Sequence, residues 1–321
     1  MTPGLPVELV DALARLSEGV ARKQLALRAT AISRAYRSGG NSALIRDETD
    51  ALAYALVRMP ATYAAVMACF DALNLARPDF TPHAMIDVGA GPATAAFAAV
   101  QAFPSLQQLA LADANDNLRA LALALMRGDD RLRRSTYRLS GARPFLNGAD
   151  DVDLVVASYA VGEFDEAERP ALADLMWRRT RDTLVVVEPG TPVGYQRIIA
   201  LRAQLIAQGA HVVAPCPHDH ACPLAAPDWC HFAQRLPRTR THKQIKGTDA
   251  PFEDEKFSYV VLSKAAPPRR AARILAEPVH SKAQISAKLC APDGLTRTIV
   301  QRRDKAAYAR ARRWRWGDAI D

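Results

Sequence analysis

The 321-residue sequence holds only five cysteines, 7% aromatic residues and no internal repeat. So few thiols exclude a disulfide-stapled secreted scaffold and point to ligands or core thiols in a reducing setting. No apolar run is long enough to cross a bilayer, so no membrane partner is expected. The opening MTPGLPVELVDALARL lacks a basic segment leading into an apolar one and carries Glu8 and Asp11, which excludes the pattern of a secretory signal or transit peptide. A cytoplasmic location is expected from these two observations. Nothing in the sequence points to a homo-oligomer.

What is present is globular: 49% of residues are hydrophobic and 24% charged. The net charge of +8 is unevenly distributed. From Lys264 to Asp321 there are 14 Lys/Arg against 5 Asp/Glu, while residues 1–263 hold 28 against 29. A surplus this local fits a polyanionic partner, because Lys and Arg gain affinity by releasing counterions from phosphates.

Three regions follow from the periodicity. Residues 1–80 read as helical, with Leu9, Leu13 and Leu16 and then Leu25, Ala29 and Ile32 at helical spacing, and Pro60 expected to begin a new helix. Cys69, among Val66, Met67 and Phe70, reads as a core thiol. Residues 81–264 alternate strand and helix, which predicts an α/β doubly wound parallel sheet. Residues 265–321 alternate polar and apolar positions around APDG, which predicts a small antiparallel β unit with a basic, aromatic end.

IDVGAGPAT follows a strand and opens a helix, the context in which a glycine loop binds a nucleoside. Gly89 and Gly91 let backbone approach a ligand, Asp87 can accept hydrogen bonds, and Asp113 at the end of the next strand is placed to accept ribose hydroxyls. A dinucleotide oxidoreductase would show a third glycine, which is absent. The D-V-G-A-G pattern instead resembles motif I of class I S-adenosylmethionine-dependent methyltransferases, which makes these four residues the candidate cofactor site. The fourth strand then delivers Ser158, Tyr159 and Glu163 to the cleft. It carries neither the Asn/Asp-Pro-Pro-Tyr motif of amino-group methyltransferases nor the nucleophilic cysteine of base-carbon ones, so no catalytic residue is named.

The segment 211–232, HVVAPCPHDHACPLAAPDWCHF, concentrates Cys216, Cys222 and Cys230 among four prolines that exclude a regular helix. A loop with little core of its own and three thiols calls for a metal as its organiser. Four ligands close a tetrahedral zinc site or complete an iron–sulfur cubane, and the residues alone leave His218, His220, His231 and Cys290 as fourth candidates.

The run from VEPGTPVGYQRI through APCPHDHACPL and DWCHFAQRLPR to EDEKFSYVVLSK, with RMPATYAA and DVGAGPAT before it and WRWGD after it, resembles the methyltransferase-like assembly factors of the small ribosomal subunit in mitochondria and bacteria. The resemblance implies a class I methyltransferase fold, S-adenosylmethionine binding and a [4Fe-4S] cluster on Cys216, Cys222, Cys230 and Cys290, with zinc as the alternative metal. It also implies a partner in the small ribosomal subunit and its RNA, and a role in ribosome assembly. An active ribosomal RNA methyltransferase is the first alternative, and a zinc-stabilised methyltransferase acting on small molecules or protein is the second. The loop departs from many relatives at Ala93. Arg235, Arg238, Arg240, Lys243 and Lys246, together with Arg302, Arg303, Arg310, Arg312, Arg313 and Arg315, are expected to line one RNA groove, with Trp314 or Trp316 stacking on bases.

Overall fold

The computed structural model describes residues 4–37, 41–268 and 272–320. Its main sheet contains β1 (Ala84–Val88), β2 (Gln108–Asp113), β3 (Thr136–Leu139), β4 (Val152–Ser158), β5 (Thr180–Pro189), β6 (His211–Ala214), β7 (Phe232–Pro237) and β8 (Phe252–Ser263). Their order is β3-β2-β1-β4-β5-β8-β6, and β7 also pairs with β8. β1 to β5 are parallel, as the alternation predicts. The doubly wound sheet has one reversed strand, β8, which runs antiparallel to β5, β6 and β7. No full crossover helix precedes it: only the short helix Arg240–Lys246 separates β7 from β8, and an antiparallel pair needs no more. This order, with a single reversed strand inserted beside β5, is the class I methyltransferase arrangement.

The strands are apolar because helices cover both faces. Val155, Val156, Leu184, Val185, Val186 and Val187 are fully buried. One of those covers is the helix Glu48–Ala76, which Asp47 caps by accepting from the Asp50 N–H. Contrary to the sequence reading, this helix runs straight through Pro60. An interior proline costs about 3 kcal/mol, and burial outweighs it here. Ala61, Ala64 and Ala65 are completely buried, and Met59 and Phe70 nearly so. Among the described residues it is also the one helix long and apolar enough to cross a membrane, which the sequence reading had not anticipated, but 72% of its apolar window is buried inside the protein. It is a core helix, and Cys69 sits within it with no exposed surface.

A second, five-stranded sheet follows: β9 (Ala272–Ile274), β10 (Val279–His280), β11 (Gln284–Ala291), β12 (Gly294–Gln301) and β13 (Ala319–Ile320), with β11 at its centre. β11 and β12 form the hairpin that APDG predicts, with Ala291 opposite Gly294 at φ +126°. That register places Cys290 opposite Leu295 on one side and Arg273 on the other.

Candidate functional site

The glycine loop lies where β1 and β4 diverge, the switch point at which open α/β sheets bind ligands. A cavity of about 380 Å³ opens there, lined among others by Gly89, Gly91, Asp113, Ser158, Tyr159 and Glu163. Gly89 sits at φ +68°, and a Cβ on it would come within 2.6 Å of the Ala160 Cβ. Ala93 adopts the left-handed conformation at φ 63°, where a glycine would rest without strain. The Tyr137 hydroxyl and the Ala90–Ala112 backbone bond fix the loop from outside.

The four candidate cofactor residues divide in two. Gly89, Gly91 and Asp113 line the cavity; Asp87 does not. Asp113 accepts the Gly91 N–H at 2.9 Å and the Asn115 N–H at 2.8 Å. A carboxylate has about four acceptor positions, so capacity remains for ribose hydroxyls. Burial raises its pKa, and these N–H groups oppose the rise. Asp87 is 1% exposed beneath the loop, and neither of its oxygens meets a donor in close hydrogen-bond geometry. Burial first and Asp113 second push its pKa up to about 7, with the Ala96 backbone pulling the other way.

The mouth is closed by a segment that sequence reading missed. The Ser42 N–H and hydroxyl donate to Glu163 at 3.0 and 2.6 Å, and the Tyr36 hydroxyl donates to the same carboxylate. From the other side the Asn115 amide donates to the Ser42 and Ile45 carbonyls, both at 2.9 Å. Tyr159, at φ 56°, donates its hydroxyl to Glu255, which also pairs with Arg58. Burial raises the Tyr159 pKa well above the phenol range, so this hydroxyl is not a base at neutral pH.

The cysteine loop follows β6 at the same edge of the sheet, at the far end of the strand order. Its four leading residues are themselves a strand, and its Ala214–Pro215 and Ala226–Pro227 bonds are cis. All five cysteines are free. Cys216, Cys222 and Cys290 all raise the pKa of Cys230 by their charge, after burial, so the three loop thiols and the remote one share one neighbourhood. Burial likewise pushes Cys290 up to about 12. The Cys290 sulfur lies 3.6 Å from His218 Nε2, and the Tyr195 hydroxyl donates to Cys222 at 3.2 Å. Among the described residues, no three His, Cys, Asp or Glu side chains are arranged to hold one metal ion.

Further contacts seat the C-terminal sheet on this loop. Lys288 pairs with Asp228, Arg273 donates to the Pro215 carbonyl at 3.1 Å, and Trp316 meets the His231 ring edge-on. Trp316 is thus packed against the loop, and Trp314 against Ile274 and Leu289, and both are half-buried. The single expected groove is corrected. Arg235 pairs with Asp254, and Arg238 and Lys246 both pair with Glu253 on β8. Glu253 and Asp254 of EDEK thus answer three of that run's five cations, while Arg302, Arg303, Arg310, Arg312, Arg313 and Arg315 are exposed on the C-terminal unit.

A family model described as mitochondrial small ribosomal subunit Rsm22 matches residues 48–321. The chain belongs to the Rsm22 family. The human mitochondrial ribosome assembly protein METTL17 is 28% identical over 292 residues, which are 84% of this chain and 62% of that one. Rsm22-cox11 tandem protein 2 of Schizosaccharomyces pombe is 25% identical, across 83% of this chain and 42% of its own length. The chain therefore spans less than two thirds of either curated relative. Distant solved structures include the Synechocystis magnesium protoporphyrin IX methyltransferase with bound SAH (TM-score 0.43, 9% identity, 74% of this chain and 94% of that one). The plantazolicin methyltransferase BpumL is similar at TM-score 0.43 and 9% identity, over 80% of this chain and 99% of its own.

Proposed function

We propose that this Rsm22-family chain is a methyltransferase-like ribosome assembly factor. In this reading it binds S-adenosylmethionine in the glycine-loop cavity, carries an iron–sulfur centre on Cys216, Cys222, Cys230 and Cys290, and binds small-subunit ribosomal RNA through its basic C-terminal unit. The observation that supports the reading most is the match of residues 48–321 to the Rsm22 family, beside which stand the electrostatic coupling of Cys230 to Cys216, Cys222 and Cys290 and six exposed arginines on the C-terminal unit.

The residues fit both groups. Gly89 and Gly91 leave room for a ligand backbone, and Asp113 would receive the ribose hydroxyls while holding the loop through the Gly91 N–H. The bound cofactor would supply an activated methyl group. Ser42, Tyr36 and Asn115 would exclude water at the mouth. Four thiols are the donor set of a cubane. Zinc, around which four thiolates would also close at bonds of about 2.3 Å, is the alternative metal, and metal analysis decides between them.

Among the described residues, the cavity's candidate bases are engaged: Tyr159 is tied to Glu255, Glu163 to Ser42 and Tyr36, and Asp113 to the Gly91 and Asn115 N–H groups. That favours assembly over catalysis; an active ribosomal RNA methyltransferase acting by proximity alone is the second reading. Sequencing ribosomal RNA from a deletion strain separates them. Immature small subunits with unchanged methyl marks support the assembly factor, and one lost mark supports the enzyme. The free thiols fit a reducing compartment, for which we propose the cytoplasm. The curated relatives carry mitochondrial names, and cell fractionation distinguishes the two.

A further inference from the structure

Two arginines in the described structure are buried outright, Arg202 at 2% and Arg273 at 7% exposure. Three partly buried arginines elsewhere face an acid: Arg58 pairs with Glu255, Arg197 with Glu188 and Arg238 with Glu253. Neither Arg202 nor Arg273 has a carboxylate partner among the described residues. Arg202 donates to the His218 carbonyl at 2.8 Å, and its Nε has no acceptor at all. Arg273 donates to the carbonyls of Pro215 and Gly317. Carbonyl dipoles do not cancel a formal charge, and an unpaired buried charge costs several kcal/mol.

What both guanidiniums face is the cysteine centre. Each acts electrostatically on Cys216 and on Cys290, and each donates to a carbonyl next to or near Cys216 in the loop, Arg202 to that of His218 and Arg273 to that of Pro215. They arrive by different routes. Arg202 lies on the helix Pro192–Ile206, two turns beyond Tyr195, which reaches Cys222. Arg273 lies in β9 directly beside Cys290 in β11. Protonated thiols carry no charge and would leave both cations uncompensated. Four thiolates on a doubly positive inorganic core carry a net charge of about −2, which two guanidiniums balance.

We propose that Arg202 and Arg273 are the counter-charges of the cysteine centre, positioning residues that make its filled, anionic form the stable one and make the empty pocket unstable. The inference rests on the iron–sulfur reading above. It explains why the helix Pro192–Ile206 and the C-terminal sheet each bring one cation to the thiols: neither side is electrically complete until both close on the centre.

The test uses the full chain purified anaerobically, as wild type and as Arg202→Met, Arg202→Lys and Arg273→Met. Iron and sulfide content of the wild type tests the cluster reading by itself; a wild type without iron defeats both proposals. Given an iron-loaded wild type, the half-time of iron loss to a chelator should shorten at least tenfold in Arg202→Met and Arg273→Met, and no more than threefold in Arg202→Lys. Thermal midpoints separate charge from packing. Arg202→Met should lower the midpoint of the iron-loaded protein and raise that of the iron-free protein, because it deletes a charge that is compensated in one and not in the other. An equal fall in both forms would reduce Arg202 to its bond with the His218 carbonyl and overturn the proposal. If the iron-free protein melts without a measurable midpoint, unchanged chelation half-times in both methionine variants overturn it equally.

Discussion

The two ends of the sheet's carboxyl edge solve the problem of buried charge in opposite ways. At the glycine-loop end the charges are acids, and most are answered from within the chain. Asp113 by backbone N–H groups, Glu163 by Ser42 and Tyr36, and Glu188 by Arg197. The cavity is therefore formed before any ligand arrives. At the cysteine end the buried charges are cations with only carbonyl partners, and protonated thiols near them supply no counter-charge. On the proposed reading that end is complete only when filled, and the fold would then join a preorganised pocket to a site whose folding and loading are the same event.

The largest effect expected from this contrast is at the cysteine end. Cys290→Ser should release the metal and detach the C-terminal sheet from the loop, lowering stability by several kcal/mol; metal analysis and calorimetry check it, and full metal retention would give the fourth position to a histidine such as His218. At the cavity end the damage should be local. Gly89→Val places a Cβ 2.6 Å from Ala160 at positive φ and should cost about 3 kcal/mol and abolish S-adenosylmethionine binding in calorimetric titration, while iron content stays at the wild-type value.

Asp87 is the exception at that end, an acid with no close donor, and it gives a pH signature. Its folded pKa of about 7 lies above the unfolded value near 3.8. Between those pH values the unfolded chain has lost the proton that the folded chain keeps, so stability is full below about pH 4 and declines until about pH 7. Asp87→Asn should remove this decline and gain about 2–4 kcal/mol at pH 8, read from denaturant melts across the range; an unchanged slope would mean that the carboxyl titrates normally. On the surface, neutralising four of the exposed C-terminal arginines should flatten the dependence of log K on log salt for ribosomal RNA by about 3 to 4 units. Arg235→Ala, which breaks an exposed pair with Asp254, should change neither that slope nor the melting temperature.

Much of this was legible in the sequence where the signal is local. The strand–glycine–helix motif, the parallel strands β1 to β5 and the APDG hairpin each follow from a short periodic pattern. Pairings across long separations were not legible. Nothing near Arg235 announces Asp254, and the closure of the cavity by residues 41–45 depends on Asn115 and Glu163, far along the chain. Pro60 misled because its propensity is local, whereas the burial that overrides it is tertiary. Arg202 did leave a trace. It follows Ile198 by four positions on the apolar face of a helix, where an unpaired cation is out of place unless something anionic awaits it.

The most direct test of the central claim is the iron, inorganic sulfide and zinc content of the full chain isolated without oxygen, together with its visible spectrum. The account predicts a brown protein with about four irons and four sulfides per chain and broad absorption near 400 nm. A colourless protein with one zinc, or with no metal, would contradict it.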